Sequence, residues 1–412
     1  MNIYTLNALI AVLALVVTIA FGLLKKPENW ITYYLRNFLG VFFIFSGVVK
    51  AIDPLGTAFK MEDYFNVFTK YVPVLEPFWD FCVSLAVPIS VFMVILEIVL
   101  GVALILGTLP KLTLALYVGI MVFFTFLTGF TAYTGEVTDC GCFGDFLKLE
   151  PFVSFLKDIF LSILLAIVIF FHKHIKFVFD KKVAFISLGI LTLVATAFSL
   201  RNCYDLPVVD FRAYHVGQDL MKGKSTEGLD AGETLTYYTL VKDGEPSKRV
   251  SSKDYMDKKM WQDKSWTIDK DKTESEVIRE AELPKIKDFL LYDKNDTDQA
   301  DSLLSIKGYH FFVSTYYPDK SSLEGFQRIN KLVGEAKKDG VSAVGITSGD
   351  LAQAEKWANN QYEFYNLDAT PIKTMMRSNP GVVLLKDATI VGKYHHNTLP
   401  TWAEIKKDLK IK

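Results

Sequence analysis

The residues of this chain best placed to do chemistry are two cysteines one residue apart, in the run Asp139-Cys140-Gly141-Cys142-Phe143-Gly144-Asp145. They are half of the four cysteines in 412 residues, and they fall in a short polar gap between two long apolar stretches. A disulfide between Cys140 and Cys142 would close a very tight ring, and strained disulfides are the reducible ones. The remaining thiols are Cys82 and Cys203. Exchange of either loop thiol with Cys203 or Cys82 would make a relay. The alternative is a single structural disulfide that tethers the loop to the base of the region following residue 201. Four cysteines allow three complete pairings, and the residues leave all three open.

Three ionisable residues inside apolar stretches form a second group. Lys50 closes the second stretch, Glu97 lies deep in the third, and Asp158 is about two turns into the fifth. Charge at such depth is costly and normally faces a bundle interior, paired or lining a polar path. Lys50 could pair with Glu97 or Asp158, or extend its ammonium to the surface. Glu97 could serve a proton path or a quinone-like ligand, or simply join helices.

The elements that must position these groups are membrane helices. Hydrophobic residues are 50% of the chain and mean hydropathy is +0.24, with the apolar excess concentrated before residue 201. Six stretches have the length a bilayer requires, roughly 20 residues: Ile3–Leu24, Tyr34–Ala51, Phe78–Gly107, Leu112–Tyr133, Phe152–Phe171 and Val183–Leu200. The first has no basic leader or small-residue cleavage site and reads as a retained anchor. Lys25, Lys26, Arg36, Lys111, Lys173, Lys176, Lys181 and Lys182 gather in alternate short loops, which places those loops in the cytoplasm. The other loops, with Glu62, Asp63, Glu136, Asp139, Asp145 and Glu150, then lie outside, as do the N-terminus and everything after residue 201. All four thiols share that outer face, the oxidising side of a bacterial membrane. The outer loops before residue 201 hold no histidine to complete a ligand set, so no metal is expected. Residues 53–74 space Phe59, Met61, Tyr64, Phe65, Phe68 and Tyr71 as an amphipathic helix would, lying in the outer interface above the cysteine loop.

Several motifs carry a family resemblance. Arg36-Asn37-Phe38-Leu39-Gly40, Phe45-Ser46-Gly47-Val48-Val49-Lys50 and Asp53-Pro54-Leu55-Gly56, with Glu97, Gly101 and Gly107 after them, resemble DoxX-like membrane proteins. Cys140-Gly141-Cys142-Phe143-Gly144-Asp145 with Lys157-Asp158 resembles the MauE branch, and the match covers roughly residues 32–172. The extended architecture, with an appended outer domain, resembles DoxX-family proteins of Bacteroidota. The resemblance implies a four-helix redox-associated bundle linked to disulfide maturation or quinone-coupled thiol chemistry.

The region after Cys203 has no further cysteine. Residues 205–282 read as β-rich, with a strand over Thr234–Val241 and a turn at Lys242-Asp243-Gly244. Two lead-ins look alike: Leu206-Pro207, Asp210-Phe211 and Tyr214 beside Leu283-Pro284, Asp288-Phe289 and Tyr292. From Gly308 the pattern is strand His310–Ser314, helix Leu323–Ala336, strand Val341–Ile346, helix Leu351–Asn359, a hairpin of Gly381–Leu385 with Ile390–Tyr394, and helix Trp402–Leu409. That order predicts a parallel sheet with one antiparallel edge. It resembles a thioredoxin-like domain of the TlpA type, with Asn379-Pro380 where that family places its cis-proline. Where thioredoxins carry Cys-x-x-Cys, this chain has Thr315-Tyr316-Tyr317-Pro318-Asp319-Lys320, so the domain cannot exchange dithiols. Peptide binding near Pro380, docking to the bundle or recruitment of a thiol-bearing partner remain. His395 and His396, adjacent on an edge strand, read as surface residues pointing to opposite faces.

The expected fold is a polytopic α-helical membrane bundle of about six transmembrane helices with a four-helix DoxX/MauE-like core, followed by an α/β thioredoxin-like soluble domain. It divides into an N-terminal anchor (1–30), the bundle (31–175), a sixth transmembrane helix (176–204), a β-rich outer segment (205–282) and the thioredoxin-like domain (283–412). The expected function is that of an inner-membrane redox-associated protein, performing thiol/disulfide exchange or quinone-coupled electron transfer in the maturation of envelope proteins. Cys140 and Cys142 would be the redox pair, Cys203 and Cys82 relay or structural thiols, and Lys50, Glu97 and Asp158 an intramembrane polar network. Its partners would be the lipid bilayer and an envelope thiol or disulfide protein, and a quinone is the one cofactor considered. A net charge of −1 gives no reason to expect nucleic acid. The alternative is a non-catalytic membrane scaffold whose outer domain binds an envelope protein. A solute transporter rests on the three charges alone, since no span shows paired glycine/proline breaks.

Overall fold

The computed structural model describes residues 2–137, 141–242 and 245–411. Cys140 and Asp139 of the cysteine loop, and Asp243 and Gly244 of the expected turn, lie outside the described residues.

Among the described residues, the N-terminal half contains the α-helices α1 (Ile3–Leu24), α2 (Trp30–Ile52), α3 (Pro54–Tyr71), α4 (Glu76–Ser84), α5 (Ala86–Leu106), α6 (Pro110–Thr134), α7 (Pro151–Phe170) and α8 (Lys181–Tyr204). Six of them, all but α3 and α4, are long and apolar enough to cross a membrane, and the chain is a multi-pass membrane protein. The apolar window of α2 is 72% buried and that of α8 only 17%, so α2 is the centre of the bundle and α8 lies at its periphery. Glycines let α2 and α5 approach closely: a Cβ on Gly101 would stand 2.6 Å from the Gly40 carbonyl, and one on Gly47 2.6 Å from Ile98. Below this crossing, Phe42, Phe43, Leu104, Tyr117 and Leu161 fill the core.

Two boundaries differ from expectation. The third stretch is two helices, because Leu85 leaves the helical conformation between α4 and α5. Pro88, in the first turn of α5, has no N–H for the carbonyl four residues back, so the helix cannot run on from α4. Cys82 therefore sits in α4, outside the span. Cys203 lies within the last turn of α8 and not beyond it. Nothing breaks that helix before the Leu206-Pro207 dipeptide, and Arg201 secures its end by pairing with Asp205 at 3.0 Å.

The soluble half begins where α8 ends, which defines a domain end of the bundle. Within 205–282, strands β1 (Glu233–Lys242), β2 (Glu245–Ser251) and β3 (Thr267–Arg279) form an antiparallel sheet in the order β2-β1-β3. The second sheet contains β4 (Tyr309–Thr315), β5 (Ser342–Thr347), β6 (Phe364–Asn366), β7 (Gly381–Lys386) and β8 (Thr389–His395) in the order β6-β5-β4-β7-β8. Strands β4, β5 and β6 are parallel, and β7 is antiparallel to both neighbours. Helices α9 (Leu323–Lys337), α10 (Leu351–Trp357), α11 (Ala369–Met375) and α12 (Trp402–Leu409) complete the unit. This is a thioredoxin-like domain, with the Asn379–Pro380 bond cis before β7.

Each face of that sheet has its own core. Phe311 and Val313 pack with Phe326, Ile329 and Val333 of α9 and Trp402 of α12. On the other face, Phe312, Ile346, Ile372 and Met375 meet Tyr214, Leu220, Ile286 and Phe289. The two similar lead-ins thus converge here, Tyr214 and Phe289 with ring centroids 6.1 Å apart. Phe59 of α3 joins the same cluster. The histidines depart from expectation: His395 is 4% exposed and its ring stacks on His396 at 4.4 Å. The strand ends at His395 and a short 3-10 turn carries His396, so strict alternation no longer sends the rings apart.

Candidate functional site

The cysteine loop is held down by its aromatic residue. Phe143 is fully buried, with its ring 5.7 Å from Phe42 and 6.1 Å from Phe45 of α2. Gly141 and Gly144 both take left-handed φ values of +65° and +51°, which only glycine adopts at little cost. A turn follows, with the Gly144 amide donating to the Gly141 carbonyl at 3.1 Å. The loop therefore returns on itself and sets Cys142 against the bundle. The Ser46 hydroxyl donates to the Cys142 carbonyl at 3.2 Å.

Ser46 leads to the buried charges. It accepts from Lys50 Nζ at 3.2 Å, and Lys50 Nζ stands 2.5 Å from Glu97 Oε1. The Lys50 ammonium also lies 4.6 Å from the centre of the Phe124 ring. Of the expected alternatives for Lys50, the structure forms the Lys50–Glu97 pair. Lys50 is 5% exposed and Glu97 1%, and Glu97 lies about 16 Å along α5 from the domain end. Its second oxygen, Oε2, is buried without a hydrogen-bond partner among the described residues. Asp158 belongs to a separate pair. Its Oδ1 is 2.5 Å from Lys157 Nζ, and its Oδ2 accepts from the Thr128 hydroxyl at 2.9 Å.

Two cavities, of about 40 Å³ and 20 Å³, lie among these groups. Lys50, Glu97, Phe124 and Cys142 line both. The larger adds Lys60, Tyr64 and Thr128, and the smaller adds Ser46, Lys157 and Asp158. Thus Cys142, Lys50, Glu97 and Asp158, scattered over more than 100 residues, come together. Cys82 and Cys203 do not line these cavities and are free thiols. Burial alone pushes the Cys82 thiol up from its ordinary value. The cavities have room for water but are far below the several hundred Å³ of pockets that enclose aromatic ligands.

Above the loop sits the thioredoxin-like domain, face down. The turn that would hold the thiols of a thioredoxin, after β4, presents Tyr316 to Phe59 of α3, with ring centroids 5.4 Å apart. Lys373 of α11 reaches Glu62 at 3.0 Å while its ammonium lies 4.5 Å from the Phe59 ring centre. Arg377, 4% exposed, is the centre of the contact. Its Nη2 stands 2.9 Å from Asp53 Oδ2 and 3.0 Å from Asp145 Oδ2, so one guanidinium ties the domain to the α2–α3 corner and to the cysteine loop. Burial works to raise the Asp53 carboxyl, but the charges of Arg377 and Arg212 and the bonds from Arg377 and Gly56 outweigh it and hold it below the ordinary range. Asn379 braces the turn from behind, accepting from Thr315 Oγ1 at 2.8 Å and from the Tyr316 amide at 3.1 Å.

Ser46, Lys157, Phe59, Lys373 and Arg377 are the site residues that sequence reasoning had not assigned. Ser46 and Lys157 stood inside motifs quoted for the family resemblance. Phe59 lay on the apolar face of the interfacial helix. Lys373 and Arg377 carry no local signal.

The fold and site define a multi-pass membrane protein that bears a thiol-free thioredoxin-like domain on one end of its bundle. Residues 28–171 match the family described as methylamine utilisation protein MauE, so the membrane region is MauE-like. The chain is also similar to protein TlpB of Flavobacterium psychrophilum, 27% identical over 155 residues, which cover 36% of this chain and 38% of that protein. It thus spans little more than a third of that relative. Among solved structures it is similar to a thioredoxin-like protein from Bacteroides caccae, at 14% identity over 30% of this chain and 47% of that one, with a TM-score of 0.21. A mutant of PrxQ from Xylella fastidiosa matches at 12% identity over 30% of this chain and 89% of that one, with a TM-score of 0.22. The thioredoxin-like assignment rests on the strand order and connections described above.

Proposed function

We propose that this chain is a membrane redox protein that exchanges thiols and disulfides through Cys142 and Cys140 with an envelope protein partner. One observation carries the reading: Cys142 lines the same two cavities as the buried Lys50–Glu97 pair. The Ser46 hydroxyl, which also accepts from Lys50, holds the Cys142 carbonyl and so keeps the cysteine loop on this polar centre of the bundle. The thioredoxin-like domain has no thiol of its own and acts as a cap that holds the cysteine loop through Arg377 and Asp145. Exchange with a partner disulfide needs no quinone. The matching basic loops support a bacterial inner membrane location with the domain end facing the periplasm.

Replacing Cys140 or Cys142 singly with serine should trap a mixed disulfide with the partner, visible as a reductant-sensitive mass shift. Replacing both should abolish the phenotype of the intact gene at near-normal membrane abundance. Full complementation by the double serine variant would end the exchange reading. It would favour a scaffold instead, a second reading supported by the cysteine-free soluble half and its ion-paired seat on the bundle.

A further inference from the structure

Sequence periodicity places residues 53–74 in the membrane interface, but the apolar side chains of α3 are largely spent on protein. Phe59 packs into the thioredoxin-like domain. The Tyr64 and Thr131 hydroxyls share a hydrogen bond of 2.8 Å, and the Phe68 ring stands 5.2 Å from that of Phe130 in α6. The exposed apolar face belongs to α4. Phe78, Phe81 and Leu85 are spaced to fall on one side of the helix, and all are exposed, Phe78 at 52% and Phe81 at 60%. Glu76, Asp80 and Ser84, also exposed, fall on another side. Trp79 turns inward, its ring 5.3 Å from Phe68 and 6.3 Å from Phe65 of α3. This one helix thus has a face against α3, a charged face and an apolar face.

Connection and packing both fix the level of α4. Leu85 is the single residue between α4 and α5, and α5 is one of the membrane spans. On its other side α4 is tied to the last turns of α6 by a row of rings. Phe126 lies 6.0 Å from Phe68, Phe68 5.3 Å from Trp79, and Trp79 4.9 Å from Phe78. Phe126 is exposed on the flank of a span, where it faces hydrocarbon, and the apolar surface continues from it to Phe78. Tyr71 and Tyr133, exposed at the same end, carry the amphipathic rings that settle at headgroup level. An apolar stripe at that level, set against a charged one, is the build of a helix lying in the bilayer interface.

We propose that α4 binds the bilayer surface, its Phe78, Phe81 and Leu85 face seated among the phospholipid chains of the leaflet at the domain end, with Glu76, Asp80 and Ser84 turned to headgroups and water. The polar side is acidic, so the helix gains nothing from anionic headgroups, and the contact is apolar. It holds more than α4. Trp79 braces α3, and α3 presents Phe59 to Tyr316 while its cap, Asp53, receives Arg377. The bilayer therefore supports the seat of the thioredoxin-like domain through one helix laid against another.

The test puts the photo-crosslinker p-benzoylphenylalanine in place of Phe78, Phe81 or Asp80 in the full-length chain, with its native cysteines kept, and irradiates native membranes. At Phe78 and Phe81 the chain should gain the mass of one phospholipid, in an adduct that phospholipase trims, and at Asp80 it should not. A crosslink to a second copy of the chain, or to a different protein, would give the face another occupant and overturn the proposal. So would the absence of any adduct at Phe78 and Phe81, which leaves the face in water. Support of the seat is read separately, by hydrogen exchange over α3 in phosphatidylcholine vesicles. Phe78→Ser with Phe81→Ser should speed exchange there, while Phe78→Leu with Phe81→Leu, which keeps the face apolar, should leave it at the native rate. Equal exchange in all three chains would overturn the support of α3 by lipid. The crosslinker replaces one aromatic side chain with another at Phe78 and Phe81, so its result stands even where the serine pair fails to insert.

Discussion

At the scale of single residues, the site is built from charges that are costly apart and tolerable together. Removing one partner of a buried pair leaves the other uncompensated, typically at about 3–5 kcal/mol, while replacing both with apolar residues is often neutral. Glu97→Leu should accordingly lower membrane abundance and thermal midpoint, and Lys50→Met combined with Glu97→Leu should recover most of the loss. Equal damage in the single and double variants would show that the two residues are not coupled. The Asp53-Pro54-Leu55-Gly56 motif gains a similar meaning. Asp53 caps α3 and receives Arg377, and Gly56 leaves the space the guanidinium occupies: a Cβ there would stand 2.8 Å from Arg377 Nη2. What a family motif displays in sequence as punctuation is a socket.

At the scale of elements, the α2–α5 crossing sets the geometry that lets Lys50 reach Glu97. Gly101→Ala would force a methyl to within 2.6 Å of the Gly40 carbonyl, so the helices must part. Loss of the ion pair should follow, read as faster alkylation of a cysteine placed at Ser90, where the corner now buries the side chain. Unchanged protection would mean the crossing is slack. The same elements show why some features were legible in sequence and others were not. An apolar run announces itself within about 20 residues, so the six crossings were readable. The α4–α5 break depends on one proline inside an otherwise continuous apolar run, which hydropathy alone does not mark. Strands β4, β5, β7 and β8 carried compact apolar signals, whereas β6 is three residues long and α11 seven, too short for periodicity to speak. Lys50 and Glu97 stood out as buried charges, but their pairing spans 47 positions, and only the folded crossing selects it over Asp158.

At the scale of the whole molecule, the seat of the thioredoxin-like domain depends on ionised carboxylates. Asp53 has a folded pKa below its ordinary value, so its contribution is complete above that ordinary value, roughly pH 4, and is lost as pH falls through the lower folded value. Asp210, lowered to about 2 against burial by Arg212 and Lys393, keeps its contribution to the domain until pH falls through that value. Acidification from pH 5 should therefore expose Phe59 to labelling as Asp53 takes up its proton, and Arg377→Ala should produce that exposure already at pH 7. Simultaneous exposure and unfolding would mean the seat and the domain are one cooperative unit. Orientation is open to direct measurement: a reporter active only outside the cytoplasm should work after Lys412 and fail near Lys176, and the reverse would invert the location assigned to the thiols. The short connection from Tyr204 into the domain has a further consequence. Because cap and bundle share one chain, their local concentration is of millimolar order, and an interface of a few ion pairs and one aromatic plug stays occupied although it would be negligible between separate molecules. Cutting the chain at the exposed Val208–Val209 link should convert a permanent lid into a dilute solute, released without a single contact having been altered.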